Sequence, residues 1–394
     1  MLTPTKILSA LFLCLSVALT ACNDKYPTAN IPDTPLEKPL DIIIEPKKVA
    51  MTATTAVGVK DDGTLWTWDG SSGNIASGGF DPTPKQVEGI TDVVAVSAGI
   101  GHILMLKKDG SVWGWGSNYD GYVDPNDDSD FIYKPRRIEG VEDIVDISAG
   151  SGSSVFLNKN GEVFYLGSNE WKILKNLQDK QVSAPIKISG LKNIARVDAN
   201  SGYILALDKD GNLFTTACKE GFQKTHQSEQ GEICQIPFDK KVVDFAHGIT
   251  DFALLDDGTV WAWGDLETIA EETNNKALLL PRRVKGLSQV VNISNFSANT
   301  VNGDLYIWGD YLVGKSPNAG ESSMYKITKP TLIANNLMAV SFVRNAYISA
   351  LLTKNGEVWA WEGNRYGQRG TGKAIDTFYK EYVFTPEKSL FTTH

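Results

Sequence analysis

The residue types that could bind a nucleotide occur together in one short segment. Residues Gly309–Ser316, GDYLVGKS, match the pattern G-x-x-x-x-G-K-[ST]. In nucleotide triphosphatases this loop follows a buried strand and opens a helix, so that backbone N–H groups bind phosphates, the lysine reaches the outer phosphates and the hydroxyl holds magnesium. Here Pro317–Gly320, PNAG, follows, which is typical of a loop and not of a helix start. We therefore predict that the segment binds no nucleotide.

A second segment has oxygen-bearing residues at the spacing of a calcium loop. Asp124, Asn126, Asp128 and Asp130 stand at alternate positions, as calcium ligands do. However, a serine stands where such loops need glycine, and a proline stands where they need a bidentate glutamate. We expect a solvated acidic loop without a metal, and we keep these four residues as a weak calcium candidate.

Residues for acid–base or nucleophilic catalysis are sparse. The motifs H-E-x-x-H, G-x-S-x-G and C-x-x-C are absent, and the histidines before the terminal His394 are His102, His226 and His247. His102 occupies a repeated position that holds serine, threonine or tyrosine in other copies, which favours a structural role. No carboxylate pair stands out for general acid–base work. We predict no catalytic residue, no cofactor and no enzymatic activity.

The N-terminal residues have the pattern of an export signal. Lys6 precedes Ile7–Leu19, an apolar run of thirteen residues that is short for a membrane-spanning helix. The following Thr20-Ala21-Cys22 resembles the bacterial lipobox, in which cleavage before the cysteine leaves a lipid-modified N-terminus. The alternative is an ordinary secretory signal with a chance cysteine. We expect a signal peptide at residues 1–21, lipid on Cys22 and a location at the bacterial cell envelope, with the membrane contacted only through the lipid.

After Cys22 the sequence is rich in proline, which is typical of a semi-extended linker. We expect a tether at residues 22–44 and a folded domain at residues 45–394. With Cys14 removed and Cys22 lipidated, Cys218 and Cys234 are left on either side of a polar insertion. In an exported protein they favour a disulfide, worth about 3 kcal/mol in the chain-entropy description. The alternatives are two free thiols or, less favoured, a zinc site with His226.

Composition places few limits on the partner. The chain has 394 residues, of which 42% are apolar and 22% charged, as in ordinary globular proteins. The formal net charge of −9 argues against nucleic-acid binding, because that function needs a basic surface.

One phrase recurs seven times along the chain: a hydrophobic strand, Asp-Gly or Asn-Gly, and a short strand ending in W-x-W or a variant of it. The repeated glycines are separated by 45 to 53 residues, and they are Gly63, Gly110, Gly161, Gly211, Gly258, Gly303 and Gly356. Asp-Gly and Asn-Gly are typical of tight hairpins. A further strand precedes each phrase and a proline-containing strand follows it. Seven such copies predict an all-β, seven-bladed β-propeller with four-stranded blades.

Nine of the ten tryptophans lie in the third strand of a copy. Residues at i and i+2 of a strand share one face, so each W-x-W pair can pack against a neighbouring blade. The alternative is a ring of indoles that stacks on sugars. Because the tryptophans repeat with the fold, we expect packing between blades.

The repeats resemble those of the regulator of chromosome condensation family. The resemblance rests on Ser97-Ala98-Gly99, His102, the Asp109-Gly110 turn, Val112–Gly116 and Asn364–Gly370, and it extends from about residue 45 to the C-terminus. Copy four is degraded, with Phe214–Ala217 in place of W-x-W-G. The resemblance implies a seven-bladed propeller that serves as an interaction platform, since its superfamily includes a secreted β-lactamase inhibitor. It also offers guanine nucleotide exchange as an alternative, although an exported protein is in the wrong compartment for that reaction.

Between the third and fourth strands of the copies lie loops of variable length that are rich in aromatic residues. Because they recur at one repeat position, we expect them on one propeller face, as a protein- or peptide-binding surface. Local packing over the blades is the alternative, and an envelope enzyme or a glycan binder is the alternative function. The partner-binding candidates are Tyr119, Tyr122, Phe131, Tyr133, Trp171, Tyr311, Tyr325 and Tyr366, followed by Phe378, Tyr379 and Tyr382.

We also expect the chain ends to meet. An open stack of blades would expose unpaired strand edges, and propellers avoid this by closing into a ring. The segments Asp41–Ala53 and Tyr382–Leu390 are expected in the same or adjoining blades, with the tether leaving the domain near that junction.

Overall fold

The computed structural model describes residues 36–394 except 44, 70–80, 120, 171–172, 175–176, 201, 229, 266–276, 314–322, 345–347, 365 and 375–382. The described residues form β-strands and loops, with no α-helix among them. The predicted signal peptide, Cys22 and most of the predicted tether lie outside these residues.

The strands form seven antiparallel sheets, and each sheet is one blade. Blades one and two contain β1 (Val49–Met51), β2 (Thr55–Val59), β3 (Leu65–Asp69), β4 (Asp81–Gln86), β5 (Val93–Ala98), β6 (His102–Lys107), β7 (Val112–Ser117) and β8 (Phe131–Arg137). Blades three and four contain β9 (Ile144–Ala149), β10 (Ser153–Asn158), β11 (Val163–Ser168), β12 (Gln181–Lys187), β13 (Ile194–Ala199), β14 (Ile204–Asp208), β15 (Leu213–Thr215), β16 (Gln223–Ser228) and β17 (Gly231–Gln235). Blades five to seven contain β18 (Val242–Ala246), β19 (Thr250–Leu255), β20 (Val260–Asp265), β21 (Ala277–Arg283), β22 (Val290–Ser294), β23 (Ser297–Thr300), β24 (Leu305–Val313), β25 (Ser323–Ala334), β26 (Ala339–Arg344), β27 (Ile348–Thr353), β28 (Glu357–Glu362) and β29 (Val383–Thr392).

The predicted seven-bladed propeller is therefore confirmed, with one departure in blade four. Six blades contain four strands in sequence order, whereas the order in blade four is β13-β14-β15-β17-β16. The insertion that the sequence placed between Cys218 and Cys234 folds as the hairpin β16–β17. Its second strand takes the place of the usual outer strand, and β16 is added beyond it.

The glycine of each Asp-Gly or Asn-Gly turn is needed for two reasons, as Gly110 illustrates. Its φ of 78° lies in the left-handed region, which a residue with a Cβ adopts at a cost. A Cβ added there would also lie 3.0 Å from the Cα of Asp143, in the connection to the next blade. The repeated glycine thus lets each hairpin pack closely against the segment that leads into the following blade.

The tryptophans pack mostly as the sequence predicted. The second indole of the W-x-W position is almost fully buried in five blades, at Trp68, Trp115, Trp263, Trp308 and Trp361. The first indole is half-buried, and its Nε1 donates to a side chain of the hairpin, for example from Trp113 to Ser111 Oγ at 3.2 Å. The buried rings fill the space between sheets, which excludes a ring of exposed indoles for sugar stacking among the described residues.

The ring closes between blades one and seven without any exchange of strands. Phe391 of β29 stacks on Trp68 of β3, with ring centroids 5.1 Å apart. The indole Nε1 of Trp68 donates to the carbonyl of Gln368 at 2.8 Å, and the Gln368 side-chain amide donates to the carbonyl of Ala53 at 2.9 Å. A Cβ on Gly58 would lie 2.5 Å from the Phe391 ring, so the two sheets are in close contact. The expectation that the chain ends lie in adjoining blades is confirmed.

The expected exit of the tether beside this junction is wrong. Residues 36–43, which the sequence assigned to the tether, pack on blade five. Leu36 lies against Gly258, the Leu40 N–H donates to Asp256 O at 2.8 Å, and the Ile43 N–H donates to Val243 O at 2.9 Å. The chain then crosses to blade two, where Lys47 O accepts from Val96 N at 2.8 Å, before it enters blade one. The segment follows blade five because its leucine and isoleucine side chains join the apolar clusters there.

The closure predicts that Phe391 stabilises the whole ring. Replacing it with alanine leaves a cavity against Trp68, and truncations of this kind cost about 3–5 kcal/mol. Phe391→Ala should lower the free energy of unfolding by that amount in a single transition, measured by urea denaturation. Leu390→Ala is the matched control, because Leu390 is 62% exposed and should change little. Equal stabilities of the two variants would contradict the closure argument.

Candidate partner-binding face and central cavity

The two ends of the propeller differ in the loops that they carry. Ser117 N donates to Gly101 O, and Ser168 N donates to Gly152 O, each at 2.8 Å. These bonds bring the loop between the first and second strands beside the end of the third strand. The loops from the third to the fourth strands therefore lie at the same end, which we call the loop face. The opposite end, with the Asp-Gly and Asn-Gly hairpins, is the turn face.

The long loops are organised by an asparagine that sequence reasoning missed. In blade two the Asn118 amide donates to the carbonyls of Asp124 and Asp127 at 2.9 and 3.0 Å, and its Oδ1 accepts from Asp124 N at 2.9 Å. Asn169 makes equivalent bonds in blade three, and Asn364 does so in blade seven. Each asparagine stands three residues after the second W-x-W position, a recurrence that could have identified it.

The acidic loop is held by an arginine. Arg136 Nη1 lies 2.8 Å from Asp124 Oδ2 and 2.5 Å from Asp127 Oδ2, while Asp124 Oδ1 accepts from Asn126 N. These bonds occupy both carboxylate oxygens of Asp124, the first of the calcium candidates. Among the described residues, no group of three or more histidine, cysteine, aspartate or glutamate side chains is placed to hold a metal ion. The four calcium candidates, Asp124, Asn126, Asp128 and Asp130, thus lie in a loop stabilised by its own hydrogen bonds and by Arg136.

The predicted aromatic surface is divided by the structure. Tyr119 and Tyr133 are 73% and 67% exposed, and half-buried Phe131 contacts Tyr133 at a centroid distance of 4.7 Å. The prediction that Tyr122 belongs to this surface is wrong. Its ring is buried and packs on His102 with centroids 4.5 Å apart, and its hydroxyl donates to Ser117 Oγ. Tyr122 is buried because Asn118 turns the loop back over the blade. It is a packing residue and does not belong to an exposed surface.

The remaining partner-binding candidates lie in other blades or outside the described residues. Tyr366 is half-buried in the loop that follows β28. Tyr311 and Tyr325 are paired across β24 and β25 in the backbone register. Trp171, Phe378, Tyr379 and Tyr382 lie outside the described residues.

The loop face carries two exposed apolar residues that sequence reasoning missed, because it searched only for aromatic residues in the long loops. Ile249 and Ile100 are 84% and 66% exposed, and both lie in short loops between first and second strands. With Tyr119 and Tyr133 they are the four most exposed large apolar side chains among the described residues. All four lie at the loop face or at the loop-face end of a strand.

The nucleotide-like segment has the wrong local structure for a phosphate loop. Residues Gly309–Val313 are part of strand β24, where Leu312 pairs with Met324 and Val313 with Ser323. In a phosphate loop these residues would leave the strand and turn their N–H groups towards the ligand. Lys315 and Ser316 lie outside the described residues.

A central cavity of about 460 Å³ lies where the first strands of the blades meet. Its charged lining comes from blades four, five and seven and from the N-terminal segment: Arg196, Asp198, Asp244, His247, Arg344, Glu45 and Lys47. Arg196 pairs with Asp244 of the next blade, and Ser148 Oγ donates to Asp198 at 2.5 Å. Burial raises the pKa of Asp244, whereas Lys47 and His247, together with the Ser148 hydroxyl, outweigh burial at Asp198 and lower its pKa. These side chains join neighbouring blades around the channel.

Buried histidines occur in two different settings. Burial lowers the pKa of His102 to about 3, and its Nε2 lies 3.1 Å from Ser154 Oγ, so this ring is neutral. His247 has an acceptor at each nitrogen: Asp251 Oδ1 lies 2.7 Å from Nδ1, and Tyr203 O lies 3.1 Å from Nε2. Only the charged imidazolium donates to both. Burial alone would lower the pKa of His247, but the Asp251 carboxylate outweighs it and raises that pKa.

The hydroxyl beside His102, Ser154 Oγ, is fully buried and donates to the carbonyl of Tyr122 at 2.6 Å, so it is not presented to a substrate. The His247 ring is enclosed, and Asp251 also accepts from the Tyr203 hydroxyl at 2.5 Å. Within the described residues this network joins blades four and five at the rim of the cavity, which is a structural role.

The geometry defines a class of protein, the seven-bladed propeller with loops gathered at one face. Two family models of the regulator of chromosome condensation (RCC1) repeat match the chain, one at residues 93–121 and the other at residues 109–157. The protein is a seven-bladed propeller whose residues 93–157 match the RCC1 repeat.

Known relatives are similar at low identity. The human E3 ubiquitin-protein ligase HERC2 is 26% identical over 339 residues, which cover 81% of this chain and 6% of that protein. The RCC1-like G exchanging factor-like protein of Mus musculus is 24% identical over 324 residues, which cover 77% of this chain and 60% of that protein. The chain thus spans a small part of the first relative and less than two thirds of the second.

Two crystal structures share the fold. Human WBSCR16 has a TM-score of 0.67 at 18% identity, over 83% of this chain and 95% of that one. Prp20p from Saccharomyces cerevisiae has a TM-score of 0.61 at 18% identity, over 88% of this chain and 87% of that one.

The two buried histidines predict opposite pH dependences. The pKa of His247 is raised by folding, so its contribution is fully present below its ordinary value of 6.5 and is lost as pH rises through the folded pKa. The difference in free energy of unfolding between wild type and His247→Asn should therefore shrink as pH rises above about 6.5. Urea denaturation across this range measures it.

The matched control is His102→Asn. Its folded pKa of about 3 lies below the unfolded value, so its contribution is present above 6.5 and is lost as pH falls towards 3. The difference between wild type and His102→Asn should shrink in the acid direction. If both differences change with pH in the same direction, the charged state assigned to His247 is wrong.

Proposed function

We propose that this protein is a non-enzymatic, envelope-anchored propeller that binds a protein or peptide partner through its loop face. One observation carries the proposal: of the residues that the structure describes, the four most exposed large apolar side chains, Ile100, Tyr119, Tyr133 and Ile249, lie at that end. Exposed tyrosine and isoleucine supply contact area at low conformational cost, and aromatic residues are enriched at protein interfaces.

The rigid scaffold supports this function. Binding residues often lie on loops that a stable framework holds in place, because a fixed loop loses little conformational entropy on binding. Here Asn118, Asn169 and Asn364 fix the long loops by hydrogen bonds. Proteins of similar fold bind other proteins: yeast RCC1 (Prp20) binds Kap60, and Prp20p of Saccharomyces cerevisiae binds Gsp1p and histones. Those partners belong to those proteins, and here they support only the class of function.

The anchoring half of the proposal rests on the sequence of residues 1–22. Leu19-Thr20-Ala21-Cys22 has the order of small and apolar residues expected before a lipidated cysteine. No helix among the described residues is long and apolar enough to cross a membrane. Lipid on Cys22, in the outer membrane and facing either side, would hold the propeller through a tether.

The binding face can be tested by site-specific photocrosslinking in intact cells. A benzophenone amino acid at position 119 should give a discrete crosslinked species that mass spectrometry can identify, because Tyr119 is 73% exposed at the loop face. The same probe at position 301 is the control, since Val301 is 43% exposed on the turn face. The same adduct from both positions, or none from position 119, would remove the support for a loop-face site.

The anchor can be tested separately. Cys22→Ala should release the protein from membranes into the soluble fraction, because the acyl chains would be absent. Intact mass should show lipid on the wild type and none on the variant. A wild-type protein that is soluble after lysis and carries no acyl mass would refute the anchor without affecting the binding face.

A further inference from the structure

The outer strand of every blade except the fourth contains proline. A proline in an outer strand removes a backbone N–H and prevents another strand from pairing there. The outer-strand prolines are Pro82 and Pro84 in β4, Pro135 in β8, Pro185 in β12, Pro281 in β21, Pro330 in β25 and Pro386 in β29. Strand β16, QKTHQS, is the last strand of its sheet and contains none.

This open edge is held in a fixed position. The disulfide between Cys218 and Cys234 joins β17 to the segment that follows β15. At the other end of the hairpin, the Gln230 side chain donates to Lys187 O and accepts from Ser189 N, each at 2.8 Å, so that the hairpin is bonded to blade three. A Cβ on Gly190 would lie 2.4 Å from the His226 ring, which shows how closely the two meet. A rigid edge loses little entropy when another strand pairs with it.

The register shows which backbone groups point outward. Ser228 pairs with Gly231 across a turn of two residues, and Gln227 pairs with Glu232. Pairs in an antiparallel ladder alternate, and the pair that flanks a two-residue turn is hydrogen bonded. The N–H and C=O of Gln227 therefore face away from β17. The Gln227 side chain is exposed as well.

Charge along the edge favours one kind of occupant. Lys224 is exposed and forms an ion pair with Glu232 of β17 at 2.5 Å. A strand added beside β16 would place a side chain next to Lys224, and an acidic residue there would continue the alternation of charge across three strands. Two copies of β16 paired with each other would bury far less than the roughly 1,200 Å² of a stable interface. A short peptide can bind such an edge through main-chain hydrogen bonds.

We propose that β16 is a second binding site, separate from the loop face, which takes an extended acidic peptide segment of a partner protein as an added β-strand. The segment pairs with the outward N–H and C=O of Gln227 and places a carboxylate beside Lys224. The site does not depend on lipid anchoring or on the loop face.

The probe is a displayed library of short random peptides, selected on the oxidised full-length protein. Enriched peptides should contain aspartate or glutamate. A synthetic copy of the strongest should bind about tenfold more weakly to Gln227→Pro, because one main-chain hydrogen bond is lost and its partner carbonyl is left unpaired. Gln227→Ala is the matched control, which keeps the N–H and should bind as the wild type does. Equal binding to both variants would overturn the proposal.

Three further measurements test the proposal, and the first of them checks for a folding defect. Gln227→Pro should keep the wild-type melting temperature, since the N–H that it removes makes no bond to β17. Lys224→Glu should prefer the same peptide with lysine in place of its acidic residue. In wild type, hydrogen exchange at Gln227 should slow only when the peptide is added. Slow exchange in a peptide-free dimer, or a Lys224→Glu variant with unchanged preference, would also overturn the proposal.

Discussion

The whole architecture depends on the contact between the first and last blades. Each sheet is built from consecutive strands, so no strand is shared across the gap. Side-chain packing and hydrogen bonds between the two blades close the ring, and one of these bonds joins the Asp61 N–H to the Thr393 carbonyl at 2.7 Å. Phe391 stacked on Trp68, with Gln368 bonded to both Trp68 and Ala53, provides that closure. If it opened, two sheet faces rich in valine and tryptophan would be exposed to water. The N-terminal segment adds a second restraint, because it binds blade five across the ring before it enters blade one.

Closure has a consequence for the loop face. Around the channel, side chains of one blade bond the backbone of the next, as when Ser97 Oγ accepts from Ala149 N and Ser148 Oγ accepts from Ala199 N. These bonds fix the angle between neighbouring blades, and the angle sets where each loop emerges. Exposed side chains on different blades, such as Tyr119 and Ile249, are thus held on one surface although they lie far apart in the sequence. A partner would meet a preformed surface, which reduces the entropy lost on binding.

Much of the fold could be predicted from the sequence, because the repeat encodes it locally. A hairpin glycine, a buried tryptophan and a proline-containing outer strand are each specified within one copy. The errors arose where a tertiary contact, within one blade or across the ring, decides the outcome. The burial of Tyr122 depends on Asn118 and on His102, and the path of Leu40 and Ile43 depends on an apolar surface two hundred residues away in the sequence. The exposure of Ile100 and Ile249 could not be read from their residue types, because isoleucine is most often buried.

The most informative residues are those where the repeat departs from its own pattern. Blade four has lost the W-x-W-G of its third strand, and β15 is only three residues long. A short third strand pairs poorly with an outer strand, so the structure compensates with a disulfide and with Gln230 bonds to blade three. Had the insertion been a neutral accident, the edge that it exposes would have been a hazard for aggregation, since β16 lacks the proline of the other six blades. The extra strand β16 has an unpaired edge, which carries a risk of aggregation. It is also polar and fixed by a disulfide, and these two properties allow a partner strand to pair with it selectively. Departures from local consistency concentrate where a fold has been adapted to bind, and blade four is the clearest such departure among the described residues.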